Sequence, residues 1–269
     1  MPRTLVPLSL GKLLDQTFNI YRQNFLLFAG ISAVPNLALL LLKFLFAGLI
    51  VNDTKQIGAA AVFAGLGTIF ATIVVSSVVT AATTFGVSDI YLDIPTSMAA
   101  CFSRVAGKAH RVFFVSFMVG LIVGLGTMLL IVPGIYAAGV YGIAVPAVVL
   151  ENITASQAVS RSSSLTKGSV GRVIVVYFLT AIFTIGMIVV LGMVLEFLGS
   201  TAFHRAGIFS GEMFQELMAT LGGILFGPIT AIALTLVYYD QRVRKEAFDI
   251  EHMMSMMAAD NLASGASAK

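Results

Sequence analysis

VFFVSFMVGLIVGLGTMLLIVPGIYAAGVYGIAVPAVVL, residues 112–150, decides how many times this chain crosses a membrane. A spanning helix needs about 20 mainly apolar residues, and this run is 39 residues long. As one kinked span it would be nearly twice the required length. Pro133-Gly134 offers a helix stop and a tight turn near its middle. The run therefore reads as a re-entering hairpin, with spans at 112–132 and 135–150, the second short and containing Pro146.

Working outward, four more runs are long and apolar enough: 25–51, 57–90, 170–198 and 217–239. Lys43 lies near the far end of the first, where its stem can snorkel to the headgroups. The second is long enough to tilt or protrude. The whole chain is 58% hydrophobic and 11% charged, with mean hydropathy +0.97; an ordinary soluble domain carries about 25% charged residues. Lipid as solvent removes the conflict. The expectation is an all-α, polytopic membrane bundle of about six transmembrane helices, one domain over residues 1–257. Residues 258–269 (AADNLASGASAK) are small and polar and read as a disordered tail. Residues 1–24 have no short apolar core ending in a cleavage site, so the first span is expected to act as an uncleaved insertion signal.

Charge gives the orientation. Thirteen of the sixteen Lys and Arg residues fall on one side of the six spans; Lys55 and Arg205 fall on the other, and Lys43 lies within a span. Under the positive-inside rule both termini are cytoplasmic. Fusing the two halves of 112–150 into one span would break this pattern downstream. The net charge of +3 and pI near 9.1 raise the question of nucleic acid. The basic residues flank apolar runs, however, so anionic lipid headgroups are the expected partner and nucleic acid is not.

Three segments look amphipathic. In residues 8–25, Leu10, Leu13, Leu14, Thr17, Phe18, Tyr21 and Phe25 recur at helical spacing, with Lys12, Asp15, Gln16, Asn19 and Arg22 elsewhere on the wheel. In 95–111, Met98, Phe102, Val105 and Ala109 oppose Arg104, Lys108 and Arg111. In 154–167, Ala155, Ala158, Val159, Ser162 and Leu165 oppose Arg161 and Lys167, with Arg172 just beyond. Such helices lie in the headgroup plane with basic residues against anionic lipid. Each precedes an outward-going span, which suggests three repeated units, although the spacings are irregular. Arg242, Arg244 and Lys245 close the last span, where Asp240 and Arg244, and Arg242 and Glu246, are i,i+4 pairs. These eleven cations are the candidate headgroup or partner contacts.

No residue is assigned a catalytic, cofactor or metal role. One cysteine, Cys101, excludes an intrachain disulfide, and His110, His204 and His252 share no ligand spacing. Most carboxylates fall at span ends or in loops. Asp89 and Asp93, one helical turn apart, could share a cation or pair with Arg104, Lys108 or Arg111; with Glu151 and Asp240 they form the candidate polar site. Gly120 and Gly124, and Gly223 and Gly227, have the small-xxx-small spacing of close helix packing. Pro35, Pro146 and Pro228 lie inside spans and free backbone carbonyls, a device transporters use and one also common in other membrane helices.

Three stretches carry a resemblance: LSLGKLLDQTFNIYRQNFLLFAGISAVP (8–35), VPAVVLENITASQAVSRSSSLTKGSVGRV (145–173) and YYDQRVRKEAFDIE (238–251). Together, and in this order, they resemble the glycerophosphoryl diester phosphodiesterase membrane-domain family, with Asn152 and Gln241 as mild departures. The resemblance implies a multi-pass helical domain of bacterial and some archaeal cell membranes. The family is named for fusions to a catalytic barrel of about 250 residues, which this sequence does not contain, so phosphodiesterase activity is not implied. The leading expectation is a non-enzymatic anchor or scaffold that meets anionic lipid or a partner protein. The alternatives are a small transporter or lipid-translocating protein, and a lipid-processing enzyme using Asp89 and Asp93.

Overall fold

The computed structural model describes residues 8–50, 59–199 and 211–246, all helix and connecting turns, with no strand among them. The helices are α1 (Leu10–Gln23), α2 (Phe25–Ile50), α3 (Ala59–Tyr91), α4 (Met98–Ala106), α5 (Ala109–Leu129), α6 (Ile131–Tyr141), α7 (Ala144–Glu151), α8 (Ala155–Thr166), α9 (Val170–Gly199) and α10 (Gly211–Glu246). Arg3, Lys55, Arg205, Lys269 and the tail 258–269 lie outside the described residues.

Six stretches are long and apolar enough to cross a bilayer: Phe25–Leu45, Gly65–Tyr91, Ala109–Leu129, Ile131–Glu151, Val170–Leu195 and Met213–Glu246. Many of their apolar side chains are not packed inside. Leu26 is 82% exposed and Met128 86%. Exposing apolar area to water costs about 25 cal/mol per Å²; exposing it to lipid tails does not. The chain is a multi-pass membrane protein with an all-α bundle fold.

The chain reverses within residues 112–150, but earlier than Pro133-Gly134. Leu130 is extended (φ −157°, ψ 139°), and α6 begins at Ile131. Pro133 sits in the first turn of α6, where a missing amide costs nothing. Gly134 serves contact rather than turning: a Cβ there would come 2.6 Å from the Thr127 backbone nitrogen, so α5 and α6 touch backbone to backbone. At the other end of the hairpin, Lys108 Nζ donates to the Val149 carbonyl (2.8 Å) and Arg111 to the Asn152 carbonyl (3.1 Å). Both ends of the 112–150 run thus lie on the same face.

α6 and α7 are separated by Gly142 and Ile143. Pro146 has no amide to give the Gly142 carbonyl, so the ladder breaks there. α7 stops at Asn152, which is left-handed (φ 56°, ψ 33°). Asparagine tolerates that conformation better than most residues, and it lets the chain turn into α8. Thr154 and Gln157 then form a reciprocal capping box at the start of α8.

α10 is the central helix. Its 36 residues reach about 54 Å at 1.5 Å per residue, longer than the hydrocarbon core, so it projects into a headgroup layer. The buried core lies toward that projecting end: Ile232, Leu236, Val237 and Tyr238 of α10 meet Val87 of α3, Ile143 just before α7 and Val173 of α9, while Phe85 of α3 and Val148 of α7 pack with Cys101 and Val105 of α4. α1 packs antiparallel along α10, with Leu8 against Asp240 and Tyr21 against the Leu225 carbonyl. It is therefore anchored along a spanning helix, not detached in the headgroup plane. Leu13, Thr17 and Ile20 form its buried stripe.

Two sequence expectations about packing are corrected. Gly120, Gly124, Gly223 and Gly227 have no described atom within 4 Å of where a Cβ would be, so no helix packs against the face these glycines open, although Ser32 of α2 donates to the Gly223 carbonyl. Close approach occurs instead at Gly126, Gly134, Gly139 and Gly222. On α4 the buried residues are Cys101 and Val105, whereas Met98 is 42% exposed. The stripe is rotated because Arg104 turns onto α3, its guanidinium 4.0 Å from the Phe85 ring centre.

Candidate functional site

The helix ends on the side where α10 projects gather almost all the described charge. Asp240 is the first centre. Its side chain is fully buried, and it accepts from the Leu8 amide (2.8 Å) and from Arg244 (3.0 Å), with Arg172 Nε at 3.2 Å. Arg244 also donates to the Leu8 carbonyl at 2.8 Å, and Arg172 donates to the same oxygen. Next door, the buried Gln241 accepts from Ser169 at 2.6 Å. α1, α9 and α10 are therefore tied at one point.

Glu151 is the second centre. Arg161 Nε binds both its oxygens (2.9 and 2.8 Å), and the Tyr238 hydroxyl donates at 2.8 Å. Arg161 also reaches Glu246 at 2.5 Å, and Arg242 lies 3.1 Å from Glu246. The Glu246 bond, ahead of those to Glu151, holds the Arg161 guanidinium's proton more tightly than usual. Lys245 closes the ring by donating to the Ser164 and Lys167 carbonyls (3.0 and 2.6 Å).

Asp89 is the third. It is 5% exposed and takes two bonds from Arg104 (2.8 and 2.9 Å). Asp93 does not join it. α3 ends at Tyr91, and Asp93 turns away, exposed, at φ 57°. The two carboxylates share no helix face and form no cation site together. Lys108, beside Arg104 and Arg111, gives up its proton more readily than an ordinary lysine, through burial first and then those neighbouring charges. At the opposite end of the bundle, Lys43 pairs with Glu216 at 2.5 Å; its charge is matched inside the protein and does not rest on snorkelling alone.

Eight of the eleven candidate cations thus have side-chain or backbone partners within the protein: Arg104, Lys108, Arg111, Arg161, Arg172, Arg242, Arg244 and Lys245. Lys12, Arg22 and Lys167 are exposed and among the described residues have none. Two of these lie on one stripe of α1. Lys12, Asp15, Gln16, Asn19, Arg22 and Gln23 line a groove of about 630 Å³ with Ile90 of α3 at its edge. Among the described residues the one side-chain bond between two of these is from Gln23 Nε2 to Asn19 Oδ1, one turn apart on α1, at 3.1 Å. Beneath the stripe the Tyr21 hydroxyl donates to Leu225, and burial pushes its pKa up to about 12.

Sequence periodicity located α1 but not this groove. The fused charges of Arg161 and Glu151, or Arg172 and Asp240, are long-range pairings that no spacing announces. A second concavity, of about 280 Å³, lies within the bundle where α6 breaks from α7.

Among the described residues no three His, Cys, Asp or Glu side chains converge as a metal site would require. Fold and charge distribution define a multi-pass helical membrane protein with one strongly ionic face. No family model, no curated protein and no solved structure matches the chain.

Proposed function

We propose that the protein is a non-enzymatic membrane anchor or scaffold that holds anionic lipid headgroups in the groove along α1. One observation carries this reading: Lys12 and Arg22 line that groove with no partner among the described residues, while most neighbouring cations are consumed in internal bonds. The wider face supports it. Eleven basic side chains stand against Asp15, Asp89, Asp93, Glu151, Asp240 and Glu246, a surplus of five positive charges. Each cation near an anionic leaflet contributes about 1 kcal/mol of attraction. The basic excess also favours a cytoplasmic position for this face. The resemblance to the glycerophosphoryl diester phosphodiesterase membrane-domain family agrees with a multi-pass domain in a bacterial inner membrane. An acidic segment of a partner protein is the other occupant this chemistry accepts.

The test is native mass spectrometry of the delipidated protein titrated with phosphatidylglycerol or phosphatidylcholine. The expected result is preferential retention of phosphatidylglycerol, lost in Lys12→Ala/Arg22→Ala and kept in Lys245→Ala. Equal retention of the two lipids by the unaltered protein overturns the reading.

A transporter or lipid-translocating role rests on a different observation, the broken α6–α7 span. Against it, the described carboxylates of the spans sit at helix ends, with none facing the bundle interior at mid-depth. An enzyme built on Asp89 and Asp93 has no support in their geometry.

A further inference from the structure

The pocket at the α6–α7 break lies at apolar depth. Leu234 on its wall precedes Asp240 by six residues, and Ser77 precedes Asp89 by twelve. At 1.5 Å per residue those positions are about 9 and 18 Å below the ionic face. No charged side chain lines it. Its walls are mainly valine, alanine, leucine and proline side chains, but Thr80, Ser116, Tyr141 and Tyr177 also line it. Among the described residues their hydroxyls have no protein partner. Gly142, whose carbonyl lost its helical donor to Pro146, lines it as well.

These groups select a ligand. Unpaired hydroxyls and a free carbonyl at this depth are costly unless something bonds them. A carboxylate or phosphate would meet no cation, and its own desolvation would dominate. A pure hydrocarbon leaves those four hydroxyls unpaired, whereas Ser76 and Ser77, also on the wall, already donate to the Ile73 carbonyl. A quinone or ester accepts bonds but cannot donate to Gly142. An alcohol does both. The volume, about 280 Å³, is near the lower end for a ligand site and suits part of one lipid chain. We propose that this pocket binds one chain of an uncharged lipid alcohol, its hydroxyl at the α6–α7 break. The site is separate from the α1 groove, and either proposal stands if the other fails.

Gly120 supplies the decisive variant. It lines the pocket, and no described atom lies within 4 Å of where its Cβ would be. Gly120→Leu should fill the pocket without displacing a helix. The experiment is photolabelling of the reconstituted protein with diazirine-bearing straight-chain and prenyl alcohols, and with the matching carboxylate and hydrocarbon, read by peptide mapping. Either alcohol is expected to label the peptides around Ser116–Val123 and Ala138–Pro146 about tenfold more than carboxylate or hydrocarbon, the worth of a hydrogen bond or so. The two alcohols distinguish acyl from prenyl chains. Gly120→Leu should abolish that labelling, and Tyr141→Phe/Tyr177→Phe should erase the alcohol preference while hydrocarbon labelling persists. Should Gly120→Leu not fold, the tyrosine pair decides alone. Equal labelling by alcohol and hydrocarbon, or an alcohol preference untouched by the tyrosine changes, overturns the proposal.

Discussion

The Leu8 amide donates to the Asp240 carboxylate at 2.8 Å, across 232 residues of sequence. This bond closes the bundle on itself, because the same carboxylate is held by Arg172 and Arg244. Removing one partner of a buried ion pair costs about 3–5 kcal/mol. Arg244 is 37% exposed, so solvent offsets part of that, and Asp240→Asn should cost about 2 kcal/mol. Loss should centre on α1. Hydrogen exchange of Leu10–Gln23 is expected to accelerate in Asp240→Asn and to stay unchanged in Asp15→Asn, whose side chain is exposed.

Arg161 bridges Glu151 and Glu246, and Arg242 touches both carboxylates. Charges sharing partners do not act additively. A double-mutant cycle on Arg161→Ala and Glu151→Gln, read by thermal unfolding in detergent, should give a coupling of about 1 kcal/mol. Arg161→Lys should fail to restore stability, because a single ammonium cannot span two carboxylates as the planar guanidinium does.

Cys101 reports on α4. It is fully buried, and burial, ahead of the Asp89 charge, pushes its thiol above the ordinary range, although Thr96 and Arg104 pull it down. Arg104→Ala strips Asp89 of its two bonds and should loosen α4 from α3. Maleimide labelling, slow in the unaltered protein, is expected to rise at least about tenfold, the equivalent of some 1.4 kcal/mol of opening. The raised thiol also has a pH consequence. The unfolded chain gives up this proton near pH 8.5 while the folded chain keeps it. Stability should therefore fall as pH rises above that value, and Cys101→Ala should remove this part of the fall.

How much of this was written in the sequence follows from the range of each interaction. Hydropathy is a sum over neighbours, so the six spans and the all-helical class were legible in it. The Asp240–Arg244 and Arg242–Glu246 pairs were legible too, because one helix carries both partners. Gly120 and Gly124 misled for the opposite reason: spacing names a helix face but not what stands opposite it. The internal bonds of Arg104, Lys108, Arg161 and Arg172 cannot be read from spacing, because their partners Asp89, Val149, Glu151 and Leu8 come from other elements. Among the described residues Lys12, Arg22 and Lys167 alone of the eleven have no internal partner.

The hairpin can be tested through its glycines. Gly134→Ala would drive a methyl against the Thr127 backbone, whereas Gly124→Ala meets nothing within 4 Å. Overpacking of this kind costs about 1–3 kcal/mol, and a backbone contact cannot move aside as a flexible side chain would. Gly134→Ala is expected to lower the unfolding temperature and Gly124→Ala to leave it unchanged, by circular dichroism in detergent. Equal effects would mean that α5 and α6 do not touch where the structure places them.

Orientation is the remaining consequence of the ionic face. Leu8 and Asp240 lie together, so a label near either must report the same side. In a Cys101→Ser background, Lys12→Cys and Lys245→Cys should both be shielded from a membrane-impermeant thiol reagent in intact cells and both react after permeabilisation. A reporter fused after residue 134 should face outward, because the chain reverses at Leu130. If Lys12→Cys reacted in intact cells, the positive-inside assignment would fail, and the headgroups meeting α1 would belong to the outer leaflet.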